Sequence, residues 1–172
     1  MGTVLWVVGE PGVGKTSVVR PMLGGPLTLV MRPKWTVGAA ICAAGHYTGG
    51  KFDGSDTLPI GDIKMALAYW AECLRDKPLT VLDGDKLSTA NALALVRDAG
   101  ATVRCVHLTA PAELVAARRA RRGTSQDPAW VRGRRTKASN FAKLFSPGEL
   151  LELTCWGELE GVTQAVRGFA TG

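Results

Sequence analysis

Residues 9–16 constrain the fold of this chain more than any other feature of its sequence. They follow the apolar run Thr3–Val8, which predicts a buried β-strand, and they precede a helical pattern over residues 15–22. Three glycines between the strand and the helix permit backbone conformations that other residues rarely adopt. The sequence therefore predicts an α/β fold whose first unit is a strand, a glycine-rich turn and a helix.

The glycine-rich turn matches the pattern G-x-x-x-x-G-K-[ST] at every fixed position. In this pattern backbone amides cradle phosphate oxygens, the lysine reaches the β- and γ-phosphates, and the hydroxyl residue binds Mg²⁺. We therefore expect ATP and Mg²⁺ as cofactors, Lys15 as a catalytic residue and Thr16 as a metal ligand. The predicted nucleotide-binding residues are Gly9, Glu10, Pro11, Gly12, Val13, Gly14, Lys15, Thr16 and Ser17.

Strand-like and helix-like segments alternate along the rest of the chain. Such alternation predicts a mainly parallel sheet with helices on both faces, in a single domain spanning residues 1–172. Ser88 is expected to cap one helix, Pro111 to open another and Asp127 with Pro128 to begin a third. The five predicted strands are 3–8, 27–31, 79–82, 102–108 and 150–155, and residues 35–44 are apolar enough for a further strand.

Two acidic residues follow the predicted strand 79–82, at Asp83 and Asp85. A carboxylate at the end of a strand beside a phosphate-binding loop can hold Mg²⁺ directly or through water. We expect Asp83 to be catalytic and to bind the metal, and Asp85 to be a supporting group, a base or a substrate ligand. A solvated Asp-Gly turn is the alternative interpretation.

Positive charge is concentrated in residues 113–143, which hold nine basic and two acidic residues and carry +7, against +6 for the whole chain. The sequence lacks the N-K-x-D pattern that a GTPase uses to recognise its base. A small kinase needs a lid that excludes water, and residues 118–137 suit a basic lid in which Arg118 and Arg122 neutralise the moving phosphoryl group. A solvated basic face or nucleic-acid affinity is the alternative.

The glycine-rich loop over residues 45–59 is the predicted acceptor side. Asp56 is the leading candidate for the general base that takes the proton of an attacking hydroxyl, and Asp53 is its rival. Arg32, at the end of a predicted strand, is a candidate ligand for an acceptor phosphate, and so is Lys34. An ordinary turn around these aspartates is the alternative.

Three segments, 52–58, 81–85 and 130–137 with Asn140, resemble phage P-loop kinases that act on 5-hydroxymethyl-deoxyuridine in DNA. Ser55 and Pro59 stand where that family's loop has threonine and serine. The resemblance implies a three-layer P-loop kinase fold with a five-stranded, mainly parallel sheet and a helical basic lid. It also implies transfer of the ATP γ-phosphate to the hydroxymethyl group of 5-hydroxymethyluracil, a step in phage DNA base hypermodification, by a virus-encoded protein of the bacterial cytoplasm.

The basic segment is compatible with a DNA partner that contains a modified pyrimidine. Trp130 could stack on a base and Arg134 could bind the acceptor, although packing in the core is the alternative for Trp130. Two other functions stay open: a kinase of a free nucleoside, nucleotide or small metabolite, and a non-catalytic, nucleotide-gated DNA-binding protein. No apolar run reaches 18 residues, so no membrane span is predicted.

Overall fold

One seven-stranded sheet organises the described part of this computed structural model, residues 1–50, 52–123 and 126–172. The strand order in the sheet is β2-β3-β4-β5-β1-β6-β7. The strands are β1 (Thr3–Val8), β2 (Thr28–Met31), β3 (Lys34–Val37), β4 (Ile41–Ala44), β5 (Leu79–Asp83), β6 (Thr102–Thr109) and β7 (Leu150–Thr154). The α-helices are α1 (Lys15–Val19), α2 (Ile63–Tyr69), α3 (Ala90–Asp98), α4 (Ala112–Arg121), α5 (Pro128–Ala142) and α6 (Leu159–Thr171).

The sheet is mainly parallel, as predicted, but the prediction of five strands is wrong. Strands β4, β5, β1, β6 and β7 are parallel to one another, and β3 and β2 extend the sheet beyond β4 by two antiparallel pairings. The apolar run 35–44 holds two strands, because a turn closed by a hydrogen bond from Gly38 N to Ile41 O (2.8 Å) interrupts it. Gly38, Ala39 and Ala40 are small and apolar enough to hide that turn in a hydrophobicity pattern.

The two faces of the sheet pack against separate helical layers. Side chains alternate between faces along β1, so Trp6 packs with Phe141 and Phe145, while Leu5 and Val7 contribute to the core on the opposite face. The Trp6 indole also donates a hydrogen bond to the Leu87 carbonyl oxygen at 3.1 Å, which satisfies its buried N–H. The fold therefore has the three predicted layers, with the sheet between two layers of helices.

Helix boundaries agree with the sequence in part. Asp127 caps α5 by accepting a hydrogen bond from Ala129 N, and Pro128 is the first helical residue, as predicted. Thr89, rather than Ser88, caps α3, because Ser88 instead donates its hydroxyl to the Gly84 carbonyl. Pro111 precedes α4 instead of opening it.

The parallel strands bring their carboxyl ends to one edge of the sheet. Residues 9–16 follow β1 there, and residues 84–86 follow β5 beside them, because β1 and β5 are neighbours in parallel register. Ligands of open α/β sheets bind outside this edge. Within the described residues, no helix has both the length and the apolar character needed to cross a membrane.

Candidate active site

The loop 9–16 lines one wall of a cavity of about 550 Å³ at the carboxyl edge of the sheet. Gly9, Gly12 and Gly14 have φ values of 151°, 90° and 113°, which L side chains rarely adopt. A Cβ on Gly9 would lie 2.3 Å from the Leu108 carbonyl oxygen, so the close packing of the loop also requires glycine. The three glycines therefore give the loop the tight backbone path that a phosphate cradle requires.

Lys15 closes the loop on itself. Its Nζ donates hydrogen bonds to the carbonyl oxygens of Gly9 (2.9 Å) and Glu10 (3.0 Å). Burial lowers the pKa of Lys15, and the nearby Asp83 carboxylate partly offsets that shift. Among the predicted nucleotide ligands, Gly9, Pro11, Gly12, Gly14, Lys15 and Thr16 line the cavity, whereas Glu10, Val13 and Ser17 are not on its described walls.

Thr16 and Asp83 form a pair of oxygen ligands suited to a divalent cation. The Thr16 hydroxyl donates to Asp83 Oδ2 at 3.1 Å. Adjacent ligands of an octahedral Mg²⁺ ion with bonds of about 2.1 Å lie about 3 Å apart, so the two oxygens already have the required spacing. Burial raises the pKa of Asp83, and a hydrogen bond from the Ser55 amide partly opposes this. A cation bound beside this buried carboxylate would stabilise its charged form.

Residues 54–55 of the glycine-rich loop 45–59 are packed directly on the Thr16–Asp83 pair. The Ser55 amide donates to Asp83 Oδ1 at 2.9 Å. A Cβ on Gly54 would lie 2.7 Å from Asp83 Oδ2, and one on Gly84 would lie 2.6 Å from Ser55 Oγ. Both glycines have positive φ. The two glycines thus allow residues 54–55 and 83–84 to interlock.

The two aspartates proposed as rival bases have opposite environments. Asp56 is exposed and lies on the cavity wall, and its charge, after that of Asp83, offsets part of the lowering of the Lys15 pKa by burial. Asp53 is buried away from the described walls and accepts hydrogen bonds from the Gly49 amide (2.7 Å) and from Arg20 (2.8 Å). Burial alone would raise the pKa of Asp53, but these hydrogen bonds lower it. Asp56 is therefore the one of these two aspartates that lines the cavity, and Asp53 organises the loop.

Asp85 also lies on the cavity wall, but basic side chains of α5 hold it. Arg134 forms an ion pair with its carboxylate, and Lys137 Nζ donates to its backbone carbonyl at 2.7 Å. The guanidinium of Arg134 also lies 4.9 Å from the Trp130 ring centroid. This arrangement suits Asp85 as a supporting group and not as a base that must accept a proton.

Large apolar side chains also line the cavity. Trp130, Phe52 and Ile60 all line the cavity, with 41%, 56% and 80% of their surface exposed. Trp130 is therefore not a core residue, so the packing alternative does not describe it. Exposed aromatic faces at the mouth of a cavity offer a stacking surface for a flat ligand.

The arginines of the proposed lid differ in their orientation. Val115, Arg119 and Arg122 follow one another along one face of α4, and both arginines line the cavity. Arg118 instead donates to the Val13 carbonyl oxygen at 2.7 Å and is not on the described walls, so it supports the loop from behind. The lid spans the end of α4 and most of α5, and its residues 124 and 125 lie outside the described part of the chain.

Arg32 is not brought to the cavity. It lies 3.7 Å from Asp62 Oδ1, its side chain is 74% exposed, and it is missing from the described walls. Lys34 is likewise not among the described wall residues. The geometry gives no support to either side chain as a ligand for an acceptor phosphate.

Several wall residues were not predicted from the sequence. Arg119 could have been found from its helical spacing to Val115, and Lys86 from its position directly after Asp85. The interaction of Ser55 with Asp83 joins residues 28 positions apart and has no local signal. The wall residues that the sequence analysis did not predict are Phe52, Ser55, Ile60, Ile63, Gly84, Lys86, Arg119, Gln126 and Lys137.

No protein-family model matches the sequence, and no curated protein does. Solved structures do. The chain is similar to a gluconokinase from Sinorhizobium meliloti 1021, with 16% identity and a TM-score of 0.57, over 98% of this chain and 91% of the other. It is also similar to the Deinococcus radiodurans tunicamycin resistance protein, with 17% identity and a TM-score of 0.56, over 98% and 95% of the two chains. The chain therefore shares its α/β fold with these two proteins. Within that fold, the glycine-rich loop and Asp83 occupy the same edge of the sheet.

Proposed function

We propose that this protein is an ATP-dependent kinase that phosphorylates the hydroxymethyl group of 5-hydroxymethyluracil in DNA. The observation that carries the proposal is that a phosphate-binding loop, aromatic side chains and basic side chains line one cavity, with Asp56 on its wall. We call the part of the wall formed by the loop and Asp83 the nucleotide end, and the part formed by Phe52, Ile60, Trp130 and Arg134 the acceptor end.

The nucleotide end suits Mg·ATP. The amides of the loop and the ammonium group of Lys15 would bind the β- and γ-phosphates, and Thr16 with Asp83 would hold Mg²⁺. The ion would neutralise charge on the phosphate oxygens as the terminal phosphoryl group moves. Arg122, on the cavity wall at the end of α4, is placed to add a positive charge to the same group.

The transfer needs one proton acceptor. Asp56 would take the proton of the acceptor hydroxyl while the hydroxyl oxygen forms a bond to the γ-phosphorus. The bond from this phosphorus to the β,γ-bridging oxygen breaks, ADP leaves, and the acceptor becomes a phosphate monoester. The exposure of Asp56 allows it to release the proton to water after each turnover.

The acceptor end suits a planar base attached to a polyanion. The Trp130 and Phe52 rings provide stacking surfaces, while Lys86 and Lys137 supply positive charge on the same wall. A base in duplex DNA would have to leave the helix to enter this cavity. The segments of the sequence that resemble the phage DNA kinases, around Ser55, Asp83 and Arg134, all contribute to these walls.

A free nucleoside, nucleotide or small metabolite is the second candidate acceptor. It is favoured by the limited volume of the cavity, about 550 Å³, and by the fold shared with a gluconokinase. A nucleotide would use the same aromatic and basic wall, so the two candidates differ only in what is attached to the base.

The deciding experiment uses labelled ATP and three acceptors: DNA with 5-hydroxymethyluracil, the same DNA with thymine, and free 5-hydroxymethyl-deoxyuridine. We expect label only in DNA that carries the modified base, and none with the Lys15→Ala variant. Equal labelling of both DNAs, or labelling of the free nucleoside alone, would overturn the DNA acceptor. No labelling of any acceptor, with Mg·ATP bound normally, would favour the non-catalytic DNA-binding alternative.

A further inference from the structure

A second groove adjoins the active-site cavity on the opposite side of Lys137. This side groove runs between the first residues of α3 and one face of α5, and its walls include Thr89, Gly133, Thr136, Lys137 and Asn140. Lys137 lines both the cavity and the side groove. A chain that leaves the acceptor end of the cavity past Lys137 would therefore enter the side groove directly.

The polar side chains of the side groove are of the kind that bind a phosphate backbone. Its described walls combine hydroxyl, amide and ammonium groups with the apolar Ala90, Phe141 and Leu144, and they contain no carboxylate. Hydroxyl and amide side chains, together with lysine, are common donors to phosphate and sugar oxygens of nucleic acids. Gly133 lies in the wall with nothing within 4 Å of a Cβ placed on it, so the middle of the groove is open to a ligand.

Positive charge extends the side groove along α5. Arg132, Thr136 and Asn140 are spaced four residues apart and so lie in one row on the helix surface. Arg132 is exposed, and it forms no ion pair with an acidic side chain in residues 1–50, 52–123 and 126–172. An unpaired arginine beside a groove whose described walls hold no carboxylate attracts a polyanion.

We propose that the side groove binds the phosphodiester backbone of the nucleotides next to the acceptor base. This inference rests on the proposed DNA acceptor, because only a polymer continues beyond the cavity. Thr136 and Asn140 donate to phosphate oxygens, Lys137 lies where the strand passes from the cavity into the groove, and Arg132 supplies charge at the end of the row.

The first test measures DNA binding without catalysis. A fluorescein-labelled single strand of about 12 nucleotides, within the span that single-strand binding sites cover, is titrated with the protein, and anisotropy is recorded. Thr136→Glu should weaken binding about tenfold, since it places a negative charge among the phosphates. Thr102→Glu is the matched control, because Thr102 is exposed at the amino end of β6, whereas the cavity lies at the carboxyl ends of the parallel strands. It should bind DNA like the parent protein.

The second test uses salt. Arg132→Ala should reduce the slope of log affinity against log salt concentration by about 1, the loss expected for one phosphate contact. Arg75→Ala is the matched control, since Arg75 is exposed near the amino end of β1 and its carbonyl accepts from Gly2 N. Affinity for Mg·ATP, measured by calorimetry, should be unchanged in all four variants, because none of these residues is on the described cavity walls.

The outcomes separate this inference from the proposed function. If Thr136→Glu binds DNA as tightly as Thr102→Glu does, the side groove is not the backbone site, even if the parent protein phosphorylates DNA. If Thr136→Glu and Arg132→Ala lose DNA affinity while the parent protein labels no DNA, the groove stands and the acceptor assignment fails. An equal loss of affinity in the groove variants and their controls overturns the inference.

Discussion

The two ends of the cavity differ in how firmly the chain fixes them. At the nucleotide end, Thr16 and Asp83 are already hydrogen-bonded at 3.1 Å, and Lys15 is held by two carbonyl oxygens. At the acceptor end, Trp130 and Ile60 are substantially exposed. Under the proposed function, the nucleotide end is preorganised for Mg·ATP, whereas the exposed side chains of the acceptor end would adjust when the acceptor binds.

The largest expected effect lies at the fixed end. Lys15→Ala removes the ammonium group that reaches the terminal phosphates, so we expect kcat to fall at least about 10³-fold. Thermal unfolding monitored by circular dichroism should show a folded protein, because the hydrogen bonds of Lys15 Nζ go only to carbonyl oxygens of its own loop. Turnover within tenfold of the parent protein would show that Lys15 does not bind the phosphoryl group that is transferred.

Asp83→Asn should reduce kcat about 10²- to 10³-fold, because a neutral amide binds Mg²⁺ much more weakly than a carboxylate does. Burial raises the pKa of Asp83, so protons compete with Mg²⁺ at a higher pH than the ordinary value of about 4 would allow. Affinity for Mg·ATP in the parent protein should therefore fall as the pH is lowered through this raised pKa. Calorimetry at several pH values should show weak, pH-independent binding in Asp83→Asn over the same range.

Asp56→Asn tests the proposed general base. Loss of the general base should lower kcat about 10²-fold and leave the affinity for Mg·ATP unchanged. Asp62→Asn is a matched control, since Asp62 pairs with Arg32 and is not on the described cavity walls. Normal turnover in Asp56→Asn would move the role of base to another residue.

Gly54→Ala should disturb both ends at once, with kcat reduced about tenfold and stability reduced by about 1–3 kcal/mol. Gly54 has φ 75° and ψ −148°, a region almost restricted to glycine, and its Cβ would crowd Asp83. Gly49→Ala is the control, because Gly49 also has positive φ but a Cβ there would meet nothing within 4 Å. Equal loss of activity in both variants would attribute the effect to backbone strain alone.

The smallest effect is expected at the exposed end. Trp130→Ala should raise KM for the acceptor about fivefold to tenfold, in the lower part of the range for loss of one stacking contact. Trp130→Phe should recover most of that loss, since it restores an aromatic face. A change in kcat without a change in KM would show that Trp130 does not contact the acceptor in its ground state.

The sequence placed the glycine-rich loop beside Asp83 because their signals are local, and the binding of Mg·ATP by these residues stays a prediction. The glycines of residues 9–16 and the position of Asp83 directly after an apolar strand can be recognised within a few residues. The same is true of the alternation that predicts a parallel sheet, and of Asp127 and Pro128 at the start of α5.

The acceptor end was predicted less completely because its organisation depends on contacts between distant residues. Asp53 and Asp56 lie in similar loop sequences, and only burial separates the hydrogen-bonded Asp53 from the exposed Asp56. Arg118 and Arg119 are adjacent in sequence, but their rotation of about 100° around α4 sends one to the back of the loop and the other to the cavity. Such distinctions require tertiary structure.

The interlock of Gly54 and Ser55 with Asp83 limits how this scaffold can be re-engineered. Replacing residues 45–59 with a new recognition loop would also remove the Ser55 amide that donates a hydrogen bond to Asp83. Libraries that vary Phe52 and Ile60 while keeping the Gly-Ser dipeptide should therefore yield altered selectivity with intact turnover, whereas wholesale loop exchange should yield inactive enzymes.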